Sequence, residues 1–161
     1  MSITRANIKK ISLYGIVFLL VVIILPSFVP GRVQAANLQE AYVRPDRLKA
    51  STATTGLVCA QPQTVATEVD VQVVFPALFT VSTTTGNWTV TTTNLPSGAT
   101  AWPGINTATA ASGQTVTFPS TDLTVGTLYC VNWSSSAALT TSTAGNDKTG
   151  SITTRATGPT A

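Results

Sequence analysis

The sequence predicts an all-β protein: a single immunoglobulin-like β-sandwich preceded by an N-terminal apolar signal or anchor helix. Three observations lead there. Charged residues make up only 9% of the 161 residues, against ~25% in an average soluble domain. Threonine and serine must therefore cover the surface, and threonine's β-branch suits a pleated strand while disfavouring helix. Short apolar–polar alternations recur between Gly, Pro and Asn turn signals. A single long apolar run stands near the start of the chain.

Residues 1–35 have the order of an export signal. Arg5, Lys9 and Lys10 precede an apolar run over residues 11–25, Pro26 and Pro30 break it, and Val33-Gln34-Ala35 offers a small-residue cleavage pattern. The run is long for a signal peptide and short for a span of ~20 residues. Two fates are open: cleavage before Ala36, or retention as an anchor with residues 11–29 in the membrane. In both, the basic flank stays inside and the body is extracytoplasmic, secreted or held at the cell surface. A core helix would show a polar face, and this run has none.

The basic balance belongs to this leader. Arg5, Lys9, Lys10 and Arg32 are four of the nine Lys and Arg residues, which leaves five against six acids in the body. A near-neutral body gives no electrostatic case for a nucleic-acid partner. Residues 36–50 are a linker or a first edge strand that ends at Pro45. Arg44, Arg47 and Lys49 cluster there, either as a solvated stalk or facing anionic lipid or cell-wall polymer.

The sandwich is expected over residues 51–161, an ordinary size for one domain. Its clearest strand covers residues 68–75, with Val69, Val71, Val73 and Phe75 turned inward and Glu68, Asp70 and Gln72 turned to water. Pro76 stops it, and Phe79-Thr80-Val81 resumes as a short strand. Thr85-Gly86-Asn87 is a turn before a strand that places Trp88 and Val90 on one face. Leu95-Pro96-Ser97-Gly98 is a turn signal, and Ser112-Gly113-Gln114 joins residues 107–111 and 115–118 into a hairpin. Residues 127–133 form a second strong strand. Residues 138–141 and 149–154, flanking Ala144-Gly145-Asn146-Asp147-Lys148, are expected to pair as a further hairpin.

Cys59 and Cys130 are the two cysteines, and in an oxidising compartment they most simply form one disulfide with Cα atoms ~5–6 Å apart. Placed near the start and end of the strand series, they would bridge the two sheets as in an immunoglobulin-like domain. Two buried free thiols are the alternative. Antibody-type spacing is not met. Trp88 lies too far beyond Cys59, and Tyr129 directly precedes Cys130 where that pattern has Tyr two before.

Several segments resemble uncharacterised exported Thr/Ser-rich β-sandwich surface proteins of environmental bacteria. They are Asp46-Arg47-Leu48-Lys49-Ala50-Ser51-Thr52-Ala53-Thr54-Thr55-Gly56-Leu57-Val58-Cys59, Val74-Phe75-Pro76 with Phe79-Thr80-Val81, Ala101-Trp102-Pro103-Gly104, and Gly126-Thr127-Leu128-Tyr129-Cys130. The resemblance implies a surface or secreted β domain and carries over no functional residue.

No catalytic constellation is visible, and the expectation is a protein without enzymatic activity and without a cofactor or metal. The chain has no His, which removes the commonest general base and zinc ligand. Glu68 and Asp70 share a strand face, as the wet side of an amphipathic strand would. Asp122, Asn146 and Asp147 are too few for a calcium site. Of the three tryptophans, Trp88 and Trp133 fall in strands and belong to the core. Trp102 falls in a loop, where it either caps the sandwich or offers a stacking platform for sugar. The expected function is thus a structural or adhesive surface module, with self-assembly or a surface glycan as its partner. The alternative is a carbohydrate- or cell-wall-binding module using Trp102.

Overall fold

In the computed structural model, residues 36–64, 66–143 and 149–156 are described. The signal or anchor segment and the 144–148 turn lie outside the described residues. Among those described, no helix is long and apolar enough to cross a membrane.

The described residues form twelve strands in three sheets. β1 (Leu38–Pro45), β3 (Gly56–Pro62), β10 (Tyr129–Trp133) and β6 (Val90–Thr91) lie in that order in the first sheet, and β7 (Thr100–Ala101) runs parallel to β10 beside Tyr129 and Cys130. The second sheet has the order β12 (Ser151–Arg155), β4 (Asp70–Val74), β9 (Thr115–Pro119), β8 (Ala110–Ser112). The third is built from two-residue strands, with β11 (Leu139–Thr140) between β2 (Ala53–Thr54) and β5 (Thr80–Val81). Apart from β7, the pairings are antiparallel.

β3 is central in its sheet and its sequence is accordingly apolar on both faces. Val58 and Ala60 enter the main core, while Leu57 and Cys59 enter a smaller cluster on the opposite face with Cys130. Tyr42, Leu95, Ala99 and Leu128 cover that second cluster. β1 is an edge strand, and Pro45, which cannot donate to a ladder, is its last residue.

The main core draws on all three sheets. Val71 and Val73 of β4, Val116 and Phe118 of β9, Val131 and Trp133 of β10, Val81 of β5 and Leu139 of β11 all belong to it. Trp88 stands at its centre, with ring centroids 5.2 Å from Phe75, 6.1 Å from Phe118 and 6.2 Å from Trp133. Both indoles are satisfied: Trp88 Nε1 donates to Ser82 O at 2.9 Å, and Trp133 Nε1 to Thr54 O at 3.0 Å.

The turns follow their residues. Ala99 N–H donates to Pro96 O at 3.0 Å, with Gly98 at φ 84° supplying the positive φ that such a turn needs at its third residue. The β8–β9 loop pairs Ser112 with Thr115, and Gly113 at φ 55° occupies its first central position.

Two expectations are corrected. Residues 138–141 and 149–154 do not form a hairpin: β11 pairs with β2 and β5, whereas β12 pairs with β4. A turn signal between two strands marks where the chain reverses; it does not fix which neighbours they take. The inward face of the 68–75 strand is also shorter than its alternation suggested. Val71, Val73 and Phe75 are buried, but Val69 precedes the strand and is 41% exposed, while Glu68 and Asp70 are buried.

Candidate interaction surface

The cysteines sit directly opposite each other on neighbouring strands, Cys130 of β10 against Cys59 of β3, and are bridged with Cα atoms 4.2 Å apart. The expected pair is present, but not the expected geometry. The bridge lies within one sheet instead of joining two, and the short Cα distance matches the close, non-hydrogen-bonded type of antiparallel pair. Both cysteines are fully buried.

Trp102 is 2% exposed, which removes it as a sugar platform. Residues 100–101 are not loop: they add β7 to the first sheet, and the Trp102 N–H continues that pairing to Cys130 O at 3.1 Å. The ring packs near Tyr129, and its Nε1 donates to Ser120 Oγ at 2.9 Å. A large ring with its one polar atom satisfied inside is a core residue.

Glu68 and Asp70 are not a wet face either. Arg155 of β12, paired with Asp70 of β4, forks onto it with Nε donating to Oδ1 at 2.6 Å and Nη2 to Oδ2 at 2.9 Å. This bidentate pairing is what allows the Asp70 carboxylate to lie inside. Glu68 Oε2 accepts from the Leu123 N–H at 3.1 Å, while Oε1 has no hydrogen-bond partner. Burial pushes the Glu68 carboxyl above its ordinary pKa of 4.5; the backbone N–H groups of Leu123 and Glu68 oppose the rise, and the negative charge of Asp122 adds to it. Asp122 itself is exposed, and Asp147 and Lys148 lie outside the described residues.

A pH dependence follows. The folded carboxyl keeps its proton to higher pH than the unfolded one, so its contribution is most favourable below about 4.5 and is lost as pH rises through the folded pKa. Glu68→Gln retains a carbonyl acceptor for Leu123 and removes the ionisation. Denaturant midpoints between pH ~4 and ~7 are expected to fall less steeply in this variant than in the native protein. Identical slopes would count against a strained Glu68.

The remaining candidate is a cleft of about 330 Å³ between the edge of the first sheet and the edge of the second. Tyr42, Val43 and Pro45 of β1 face Val74, Phe75 and Ile152 across it. Leu48, Pro76 and Phe79 also line it, and the Phe79 N–H donates to Pro76 O. Leu48, flanked in sequence by the exposed Arg47 and Lys49, is 83% exposed, and Leu78, between Pro76 and Phe79, is 67% exposed.

The 46–52 segment is anchored at several points. The Asp46 N–H donates to Thr55 O at 2.8 Å and the Arg47 N–H to Thr54 Oγ1 at 3.1 Å. Thr141 Oγ1 donates to Lys49 O, and Ser51, at φ 50°, donates its N–H to Ser142 O at 3.1 Å. The sequence had marked the three cations but not the leucine between two of them. The available signal was Leu48 itself, an apolar side chain flanked by Arg47 and Lys49 with no periodic apolar partner.

Comparison with protein-family models, curated proteins and solved structures returned no match.

Proposed function

We propose that this chain is an exported cell-surface module, structural or adhesive, that acts by presenting a surface and performs no chemistry. The observation that carries the reading is the apolar cleft, with the exposed Leu48 in its lining, the exposed Leu78 between its lining residues Pro76 and Phe79, and Arg47 and Lys49 flanking Leu48 in sequence. Large exposed apolar side chains grouped beside a cleft mark a contact surface. The buried Cys59–Cys130 bridge favours an oxidising, extracytoplasmic compartment, as does the basic, apolar, small-residue order of residues 1–35. The body is proposed to be sandwich-like: the first sheet and the β12-β4-β9-β8 sheet both contribute to one core, as facing layers do. If the leader is retained, residues 11–29 hold the module to the membrane. The resemblance to exported surface proteins points the same way.

Immunogold labelling of intact producing cells tests the reading. Label is expected on the outer surface without permeabilisation, and deletion of the protein is expected to impair surface order or attachment. Label that appears only after lysis would contradict it.

A further inference from the structure

The module's partner is another copy of itself: we infer that opposite ends of the domain dock head to tail, an inference that rests on the surface-module reading above. Four large apolar side chains are exposed among the described residues, and they divide between the two ends. Leu48 follows the Pro45 end of β1 and Leu78 follows the Val74 end of β4, two ends that line one cleft. Val69 and Val125, 41% and 42% exposed, lie at the other. The connections fix that placement. Val69 adjoins the Asp70 end of β4, Ser120 N–H donates to Val69 O, and Gly126 N–H donates to Pro62 O at the far end of β3. The seven residues of β3 separate the two ends, a distance of about 20 Å at the rise of an extended strand.

The charges divide in the same way and with opposite sign. Among the described residues at the Leu48 end, Arg44, Arg47 and Lys49 outnumber Asp46, whose carboxylate accepts from Thr55 Oγ1. At the Val125 end, Asp122 is exposed, and Glu40 is exposed beside Gln61, whose amide reaches Gly126 O. The only described cation of that region, Arg155, is neutralised by Asp70. Each end therefore carries exposed apolar side chains with a charge rim complementary to the other end of the same molecule.

That complementarity selects the geometry. An end-on two-fold contact would place like ends together, cations against cations, which repels. A head-to-tail contact pairs apolar with apolar and cation with anion. Because such an interface leaves one free end of each kind on every complex, it propagates into an open chain of copies. The hydrogen-bonded 46–52 segment holds Leu48 in place before contact, which lowers the ordering cost of association.

The test uses the full-length chain in producing cells, with a photo-reactive amino acid in place of the exposed Leu48. Irradiation is expected to give a covalent ladder of the chain, with adducts mapping near Val69 or to residues 122–126 of a second copy. Arg47→Glu is expected to lower the yield several-fold, and adding Asp122→Lys in the same chain to recover it. Adducts confined to lipid, glycan or another protein would overturn the inference. So would adducts from Leu48 to the Leu48 region of a second copy, no adduct at all, or a yield indifferent to Arg47→Glu. These results leave the surface-module reading standing if the protein is found outside; retention in the cytoplasm defeats that reading first.

Discussion

Replacing both cysteines, Cys59→Ala with Cys130→Ala, is expected to lower the unfolding free energy by about 4 kcal/mol. The bridge closes a loop with a sequence separation of 71, and most of its effect falls on the unfolded chain, whose conformations it restricts. The double change leaves no lone thiol to mispair, and alanine keeps the site apolar among Leu57, Tyr42 and Leu128. Against a total of about 5–15 kcal/mol for a domain of ordinary stability, the loss is large. Equilibrium denaturation of the oxidised protein and the variant checks it. The midpoint should fall, and the denaturant dependence should steepen as the unlinked chain exposes more surface. An unchanged midpoint would show that the bridge joins two strands already fixed by other contacts.

Trp88→Ala is expected to cost about 3–5 kcal/mol. No other side chain stands in the same position. Its ring meets Phe75 from β4's end, Phe118 from β9 and Trp133 from β10, so its removal empties the region shared by the first and second sheets. It also leaves Ser82 O without its indole donor. The surrounding rings are held by strands and cannot fully collapse into the space, which is what raises the cost above simple transfer. Thermal or denaturant unfolding measures the loss. A penalty below about 1 kcal/mol, the size of a surface change, would mean that the aromatic cluster is not the centre of the core.

Much of the fold was legible because it is local. Alternation marked Val71, Val73 and Phe75 as inward, the positive-φ positions Gly98 and Gly113 fell where turn residues stood, and Pro45 ended an edge strand. What escaped depends on partners distant in sequence. Asp70 looked like a wet residue because its cation, Arg155, is 85 residues away and meets it only through β4–β12 pairing. Trp102 read as a loop residue, either a cap or a sugar platform, because Thr100 and Ala101 before it make a parallel pairing too short to leave a periodic signal. β2, β5 and β11 are equally short, so the third sheet had no pattern of its own. The disulfide's partners were readable from their number and compartment. Their place within one sheet was not, because it depends on the register of β3 against β10. The cleft was invisible for the same reason: β1 and β12 flank it from opposite ends of the described chain.

The claim that the domain works outside the cytoplasm meets its most direct test in the thiol state and location of the native protein. Cells are fractionated with free thiols trapped at lysis, and peptides carrying Cys59 and Cys130 are mapped by mass without reductant. The predicted result is a linked Cys59–Cys130 peptide pair, found in the membrane-surface or secreted fraction, on a chain that begins at Ala36 or keeps its leader. Two trapped thiols on a soluble cytoplasmic protein would contradict the account.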